Sequence, residues 1–256
     1  MGAIVLLLAA GAGAVWLTTS RAVPVTMGQA ESRLRPDAPP TDLGARPSPG
    51  VYHYVGSGTD RLSLPPLSQP EGPTMPGTVT LVGPDCWNLR IDYSSHHWQT
   101  WAFCVGHGAL RETGGGVWQL WSIGPLRVTN LTTLACTADS VWLPDRAVPG
   151  AHWRTSCSGT STAVHGRMTT AGSDRFVGVR RTTIGGRTVT ADVFRQVRTD
   201  SGAQRGSEVS NVWLDNSTGL PLRLTEDITV VTATPFGTST YTQRGAFHLA
   251  SLTAFR

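Results

Sequence analysis

The densest gathering of chemically versatile side chains in this chain is Trp87, Tyr93, His96, His97, Trp98, Trp101 and Phe103. On a surface, such rings beside imidazoles stack on sugars or sit at a membrane interface. The favoured reading is that Trp87 and Trp101 pack on the first disulfide while the two histidines cap a hairpin. The candidate surface cluster, should these groups be exposed, is Trp87, His96, His97, Trp98 and Trp101. Other groups offer less. Ser156, His152 and Asp145, or Ser161 with His165, supply the residue types of a nucleophile and a base. No G-x-S-x-G, H-E-x-x-H or helical S-x-x-K pattern surrounds them, so no catalytic residue is expected. Glu226 and Asp227 are sequence neighbours and on a strand point to opposite faces, which makes solvated strand charges the default. Gly114-Gly115-Gly116 is followed neither by Lys-Ser/Thr nor by a helix, so it reads as a hairpin loop and not a phosphate cradle.

Four cysteines, Cys86, Cys104, Cys136 and Cys157, admit three pairings. The local pairs Cys86–Cys104 and Cys136–Cys157 are favoured. A metal site using Cys86, Cys104, His96, His97 and His107 is the rival, but no C-x-x-C or H-x-x-x-H spacing is present. No metal and no cofactor are expected.

Disulfides belong to an oxidising compartment, and the start of the chain agrees. Ala3 to Leu17 is an uninterrupted apolar run of about fifteen residues, short of the ~20 that span a bilayer comfortably and within the range of a signal-peptide core. Residues 1–20 are thus expected to be a signal peptide or a membrane anchor. Residues 21–50, rich in Pro, Ala and small polar residues, read as a disordered linker. Residues 51–256 form the extracytoplasmic domain, so the protein is expected at the cell membrane or secreted. All 21 basic residues are Arg, against 17 acidic ones, a formal charge of +4. Lys codons are AT-rich, so the composition points to a high-GC genome, an actinobacterium being the natural guess. The Arg are scattered, without the basic stripe of a nucleic-acid binder.

The elements that must position these groups are strands. No window shows a 3.6-residue apolar period, while Thr, Val, Trp and Gly abound. Arg175–Ile184 and Arg187–Thr199 flank Gly185-Gly186, a pair suited to a tight hairpin turn. Further strands are expected at Ser207–Leu214, Leu220–Thr232 and Thr238–Leu249. In the first half they are expected at Val51–Val55, Thr78–Val82, Trp87–Tyr93, Trp98–Val105, Trp118–Ile123 and Arg127–Thr133. Leu64–Gly77 and the stretch from Cys136 to Cys157 read mainly as loops.

Trp213-Leu214-Asp215-Asn216-Ser217-Thr218-Gly219-Leu220-Pro221-Leu222-Arg223 resembles the strand–turn–strand of the LolA-like envelope proteins, which include RseB and the mycobacterial LppX lipoproteins. The resemblance implies a curved antiparallel sheet, a half-barrel or open barrel, around an apolar cavity closed by helices, and carriage or sensing of lipid. The fold class is accordingly mainly β, with few helices and two disulfides. The lining expected for such a cavity is Val193, Val212, Leu222, Leu224, Val230 and Phe247. The leading function is non-catalytic binding of a lipid, an acyl chain or an envelope protein. A hydrolase acting on wall polymer or glycan through the His-rich first half, or an interaction module of a membrane complex, are the alternatives. The membrane is the expected partner of the N-terminal segment, and nucleic acid is not.

Overall fold

The computed structural model describes residues 21–34, 46–234 and 237–255. The apolar run at 3–17 lies outside them. Almost everything described is antiparallel strand: β1 (Gly50–Ser63), β2 (Pro66–Glu71), β3 (Thr74–Val82), β4 (Cys86–Ser94), β5 (His97–Gly106), β6 (Ala109–Ile123), β7 (Leu126–Cys136), β8 (Val141–Pro144), β9 (His152–Ser161), β10 (Arg167–Ile184), β11 (Arg187–Gly202), β12 (Arg205–Asp215), β13 (Pro221–Thr234) and β14 (Gly237–Leu249). Neighbours in sequence are neighbours in the sheet, and β14 returns to pair with β1, with Tyr54 opposite Leu249 and Leu62 opposite Tyr241. The sheet is a closed barrel of 12 strands.

Fourteen segments make twelve staves because two staves are broken. β3 pairs with the first half of β1 and β2 with its second half, in one continuous register interrupted at Gly72-Pro73. Similarly, β8 takes over from β7 against the first residues of β6. The stretch at 64–77 is therefore mostly strand and not a loop. Pro66 sits at a stave end and Pro73 at the break, where no ladder donor is needed. Gly114–Gly116 lie inside β6 and not in a hairpin loop. A Cβ on Gly115 would stand 2.4 Å from the Thr100 carbonyl oxygen, so glycine is needed there for close strand approach.

The β10–β11 hairpin turns at Gly185-Gly186, both with positive φ (53° and 80°), and pairs Ile184 with Arg187. After β12, Gly219 at φ 72° donates its amide to the Asp215 carbonyl, while the Ser217 and Thr218 hydroxyls donate to the Asp215 carboxylate. The expected fold class, a mainly β curved antiparallel sheet with few helices and two disulfides, holds, and the curve goes on to close on itself.

Both disulfides join facing residues of neighbouring strands. Cys86 pairs with Cys104 across β4–β5, and Cys136 with Cys157 across β7–β9. Substituting Cys86→Ser together with Cys104→Ser should lower stability by about 2–4 kcal/mol, read from the urea midpoint of tryptophan fluorescence.

Residues 21–34, expected to belong to a disordered linker, instead dock on the wall. A short helix, α1 (Met27–Glu31), starts with a capping box in which Thr26 and Gln29 satisfy each other's backbone amides. Ala30 is buried, Val23 exchanges two hydrogen bonds with Ser95, and Arg33 meets Asp92 at 3.3 Å. The composition concealed this because few residues carry the contact.

Outside, β10 to β13 present Arg175, Arg195, Asn211 and Arg223 to solvent. Charges at such positions would be costly against hydrocarbon, so this wall is built to be wetted and the barrel to be filled.

Candidate functional site

Alternate residues of every stave point inward, and the interior is divided along the barrel axis. One end is a packed aromatic and aliphatic plug. Trp87 lies 4.6 Å from Phe103, Phe103 lies 5.2 Å from Trp142, and Trp142 lies 5.7 Å from Phe194. Tyr54 and Tyr93 both meet Phe247 edge-on, and Leu222 and Leu249 complete the layer. A void of about 10 Å³ lies there, too small for a ligand.

Next along the same strands is a layer of buried charge. His97 Nδ1 lies 3.0 Å from Asp60 Oδ2 and 3.0 Å from Glu71 Oε1, with all three side chains 0–1% exposed. Gln69 and Tyr241 donate to Asp60, Gln243 donates to Glu71, and Tyr93 donates to Glu226. The sequence allows this because β1 carries Gly58 and β14 carries Gly245 at inward positions. A Cβ on Gly58 would fall 2.0 Å from Glu71 Oε2, and one on Gly245 2.9 Å from it. Burial alone would depress the His97 pKa, but Asp60 and Glu71 outweigh it and raise the imidazole to about 10. Burial raises Glu71 to about 7 and, with the charges of Glu208 and Glu71 added, Glu226 to about 8.

A second group lies across the barrel. Arg198 donates to Glu112 at 2.6 Å and stands over the Trp142 ring. Asp174, 0% exposed, is held near pH 7 chiefly by burial, which the Arg198 charge opposes.

Beyond the charged layer the barrel opens into a cup of about 350 Å³. Its walls include Leu62, Trp121, Ile123, Val128, Ile228 and Val230, and its floor includes Glu112, Arg198, Gln119 and Gln243. The arrangement offers an apolar sleeve ending on polar and charged groups, the general form of a small-molecule site.

The expected lining divides between these layers. Val212, Leu222, Leu224 and Phe247 belong to the plug and Val230 to the cup wall. Val193 lies opposite Trp213, out of step with Phe194 and Val212, and joins neither. The candidate surface cluster is divided, four of its five members being buried. Trp87 and His97 are fully buried, Trp101 and His96 nearly so, and the hairpin turn is at Ser95-His96. Trp98 alone of the five is half-exposed, stacked 6.2 Å from Trp118 with Arg90 4.3 Å from its ring. Glu226 is buried in the charged layer, a correction to its reading as a solvated charge. Asp227 faces out and pairs with Arg244.

Among the described residues, no hydrogen bond joins Ser156, His152 and Asp145. Ser156 is tied through its backbone to Ser140, and Ser161 donates to Asn130. Asp60, Glu71 and His97 stand close enough to hold a metal ion. Their oxygens accept from Gln69, Gln243 and Tyr241 and the imidazole supplies positive charge, while Glu71 Oε2 and His97 Nε2 are buried without a hydrogen-bond partner. Glu112 approaches Cys136 and Cys157, whose sulfurs are committed to each other. No sequence motif marks Asp60, Glu71, Glu112, Asp174 or Arg198. The available signal was acidic or basic residues in strands that otherwise alternate apolar and polar.

No family model matches this chain, and no curated protein matches its sequence. Among solved structures it is similar to the hypothetical lipoprotein YmcC from Escherichia coli (K12), at 13% identity over 86% of this chain and 96% of that one, with a TM-score of 0.36.

Proposed function

We propose that this chain is an extracytoplasmic envelope protein that binds, without chemical conversion, a small molecule with an apolar body. The observation that carries the reading is the 350 Å³ cup, closed below by a packed plug and lined by aliphatic and aromatic side chains from strands around the barrel. Two disulfides and the apolar run at 3–17 support the compartment. Native mass spectrometry of the full chain, never denatured, tests it. A retained small-molecule mass that disappears on solvent extraction is the expected result. A bare protein that also takes up no acyl or alkyl probe would refute it.

Ile228→Trp with Val230→Trp should fill the cup from one wall. Uptake of an alkyl probe is expected to fall at least tenfold, with the urea midpoint little changed because both positions are only half-buried.

A second reading, docking to another envelope protein, is favoured by the half-exposed Trp98–Trp118 stack capped by Arg90. Trp98→Ala would then abolish co-purification of a defined partner while leaving probe uptake intact. An unchanged set of co-purifying proteins would count against it.

A further inference from the structure

The charges around the cup are unequal. Among the described residues, the carboxylates of Glu112, Asp200 and Glu208 line it against the guanidinium of Arg198. That cation is already committed to Glu112 at 2.6 Å. Behind the floor lies Asp174, fully buried, with neither carboxylate oxygen hydrogen-bonded and its charge felt by Arg198, Glu112 and Glu208. Further below, the His97 imidazolium is taken up by Asp60 and Glu71 and adds no uncompensated positive charge. The potential at the floor is therefore negative, and the low-dielectric barrel wall concentrates it.

Three aromatic rings face the same space. Trp101, Trp121 and Tyr241 line the cup, and Trp121 meets Tyr241 edge-to-face at 6.4 Å. Ring faces beside carboxylates attract cations by their quadrupole, most strongly where water is excluded. An anionic head group would meet the reverse: uncompensated carboxylates and a guanidinium that has its partner already.

We propose that the cup selects a cationic amphiphile, an alkyl chain ending in a primary or quaternary ammonium, with the charge at the Glu112–Asp200–Glu208 floor and the chain along the apolar walls. This rests on the binding reading above and adds the sign of the head group. Asp200 agrees in direction: burial raises its pKa most, the charge of Glu208 adds to this, and Thr170 and Arg198 oppose it.

The test is isothermal titration of the full chain with three eight-carbon probes: octyltrimethylammonium, octanol and octanoate. The expected order is ammonium tightest, octanol at least tenfold weaker, octanoate weakest. Glu208→Gln should remove part of the ammonium preference, and Asp200→Asn with Glu208→Gln most of it. Both positions are half-buried, and unchanged octanol binding will show that the cup is intact. Octanoate or octanol binding as tightly as the ammonium would overturn the charge assignment and leave the apolar cup standing. Failure of all three probes to bind would overturn the binding reading itself.

Discussion

Replacing His97 with Leu should destabilise the barrel by about 3–5 kcal/mol, the usual cost of leaving buried charge without its partner. His97 is 0% exposed, and its Nδ1 serves Asp60 and Glu71 together at 3.0 Å. One N–H cannot donate fully to two oxygens, so the imidazole acts mainly as the cation between them. Without it, two carboxylates are left buried away from the protein surface, and Gln69, Gln243 and Tyr241 supply hydrogens but no charge. The cost should shrink in acid, where the carboxyls can take up protons. It should also shrink in a variant that combines His97→Leu with Asp60→Asn and Glu71→Gln, which removes the stranded charges. Urea unfolding at about pH 5 and about pH 8 checks both. A loss below about 1 kcal/mol at the higher pH would mean that the cluster holds no net imidazolium.

Stability should fall continuously from about pH 5 to about pH 9, by on the order of 5 kcal/mol in total. The sign follows from the raised carboxyls. Unfolded, a Glu loses its proton near 4.5; folded, Glu71 keeps its proton to about 7 and Glu226 to about 8. Asp174 behaves alike, moving from 3.8 to about 7. Across that interval the unfolded chain binds fewer protons, so raising the pH favours it. His97 acts in the same direction. Its stabilisation is complete below 6.5 and is lost as pH rises towards 10. A single carboxyl raised this far is worth about 3–5 kcal/mol. The groups share protons, so the total is less than their sum. Glu226→Gln should flatten the curve between about pH 5 and 8. A stability maximum above pH 7 in the unaltered chain would show that these carboxyls are ionised when folded.

Both predictions concern groups that sequence alone could not assemble. The strand character, the Gly185-Gly186 hairpin, the Asp215–Gly219 turn and the two disulfide pairs were readable because each depends on residues near one another in the chain. Gly-Gly accepts positive φ at both turn positions, and cysteines about twenty residues apart on a hairpin can face one another. Alternation likewise separated Glu226 from Asp227. It could not say which of them faced inward, because a strand that is half-buried in a barrel and one that is half-buried on a sheet have the same period.

Closure decided the rest. The β14–β1 pairing converts an open curve into a barrel whose inner face is shared by all twelve staves. It brings Asp60, Glu71, His97 and Glu226 together from β1, β2, β5 and β13. Polar residues that look solvated in each strand taken singly become a buried layer, and Trp87 and Trp101 of the aromatic cluster become part of the plug. The sequence by itself determined the local elements: strands, turns, disulfides and an apolar leading segment. Only the tertiary structure decided which face of each strand meets water, because that depends on which residues distant in the chain stand opposite. The plug, the charged layer and the cup all follow from that one closure.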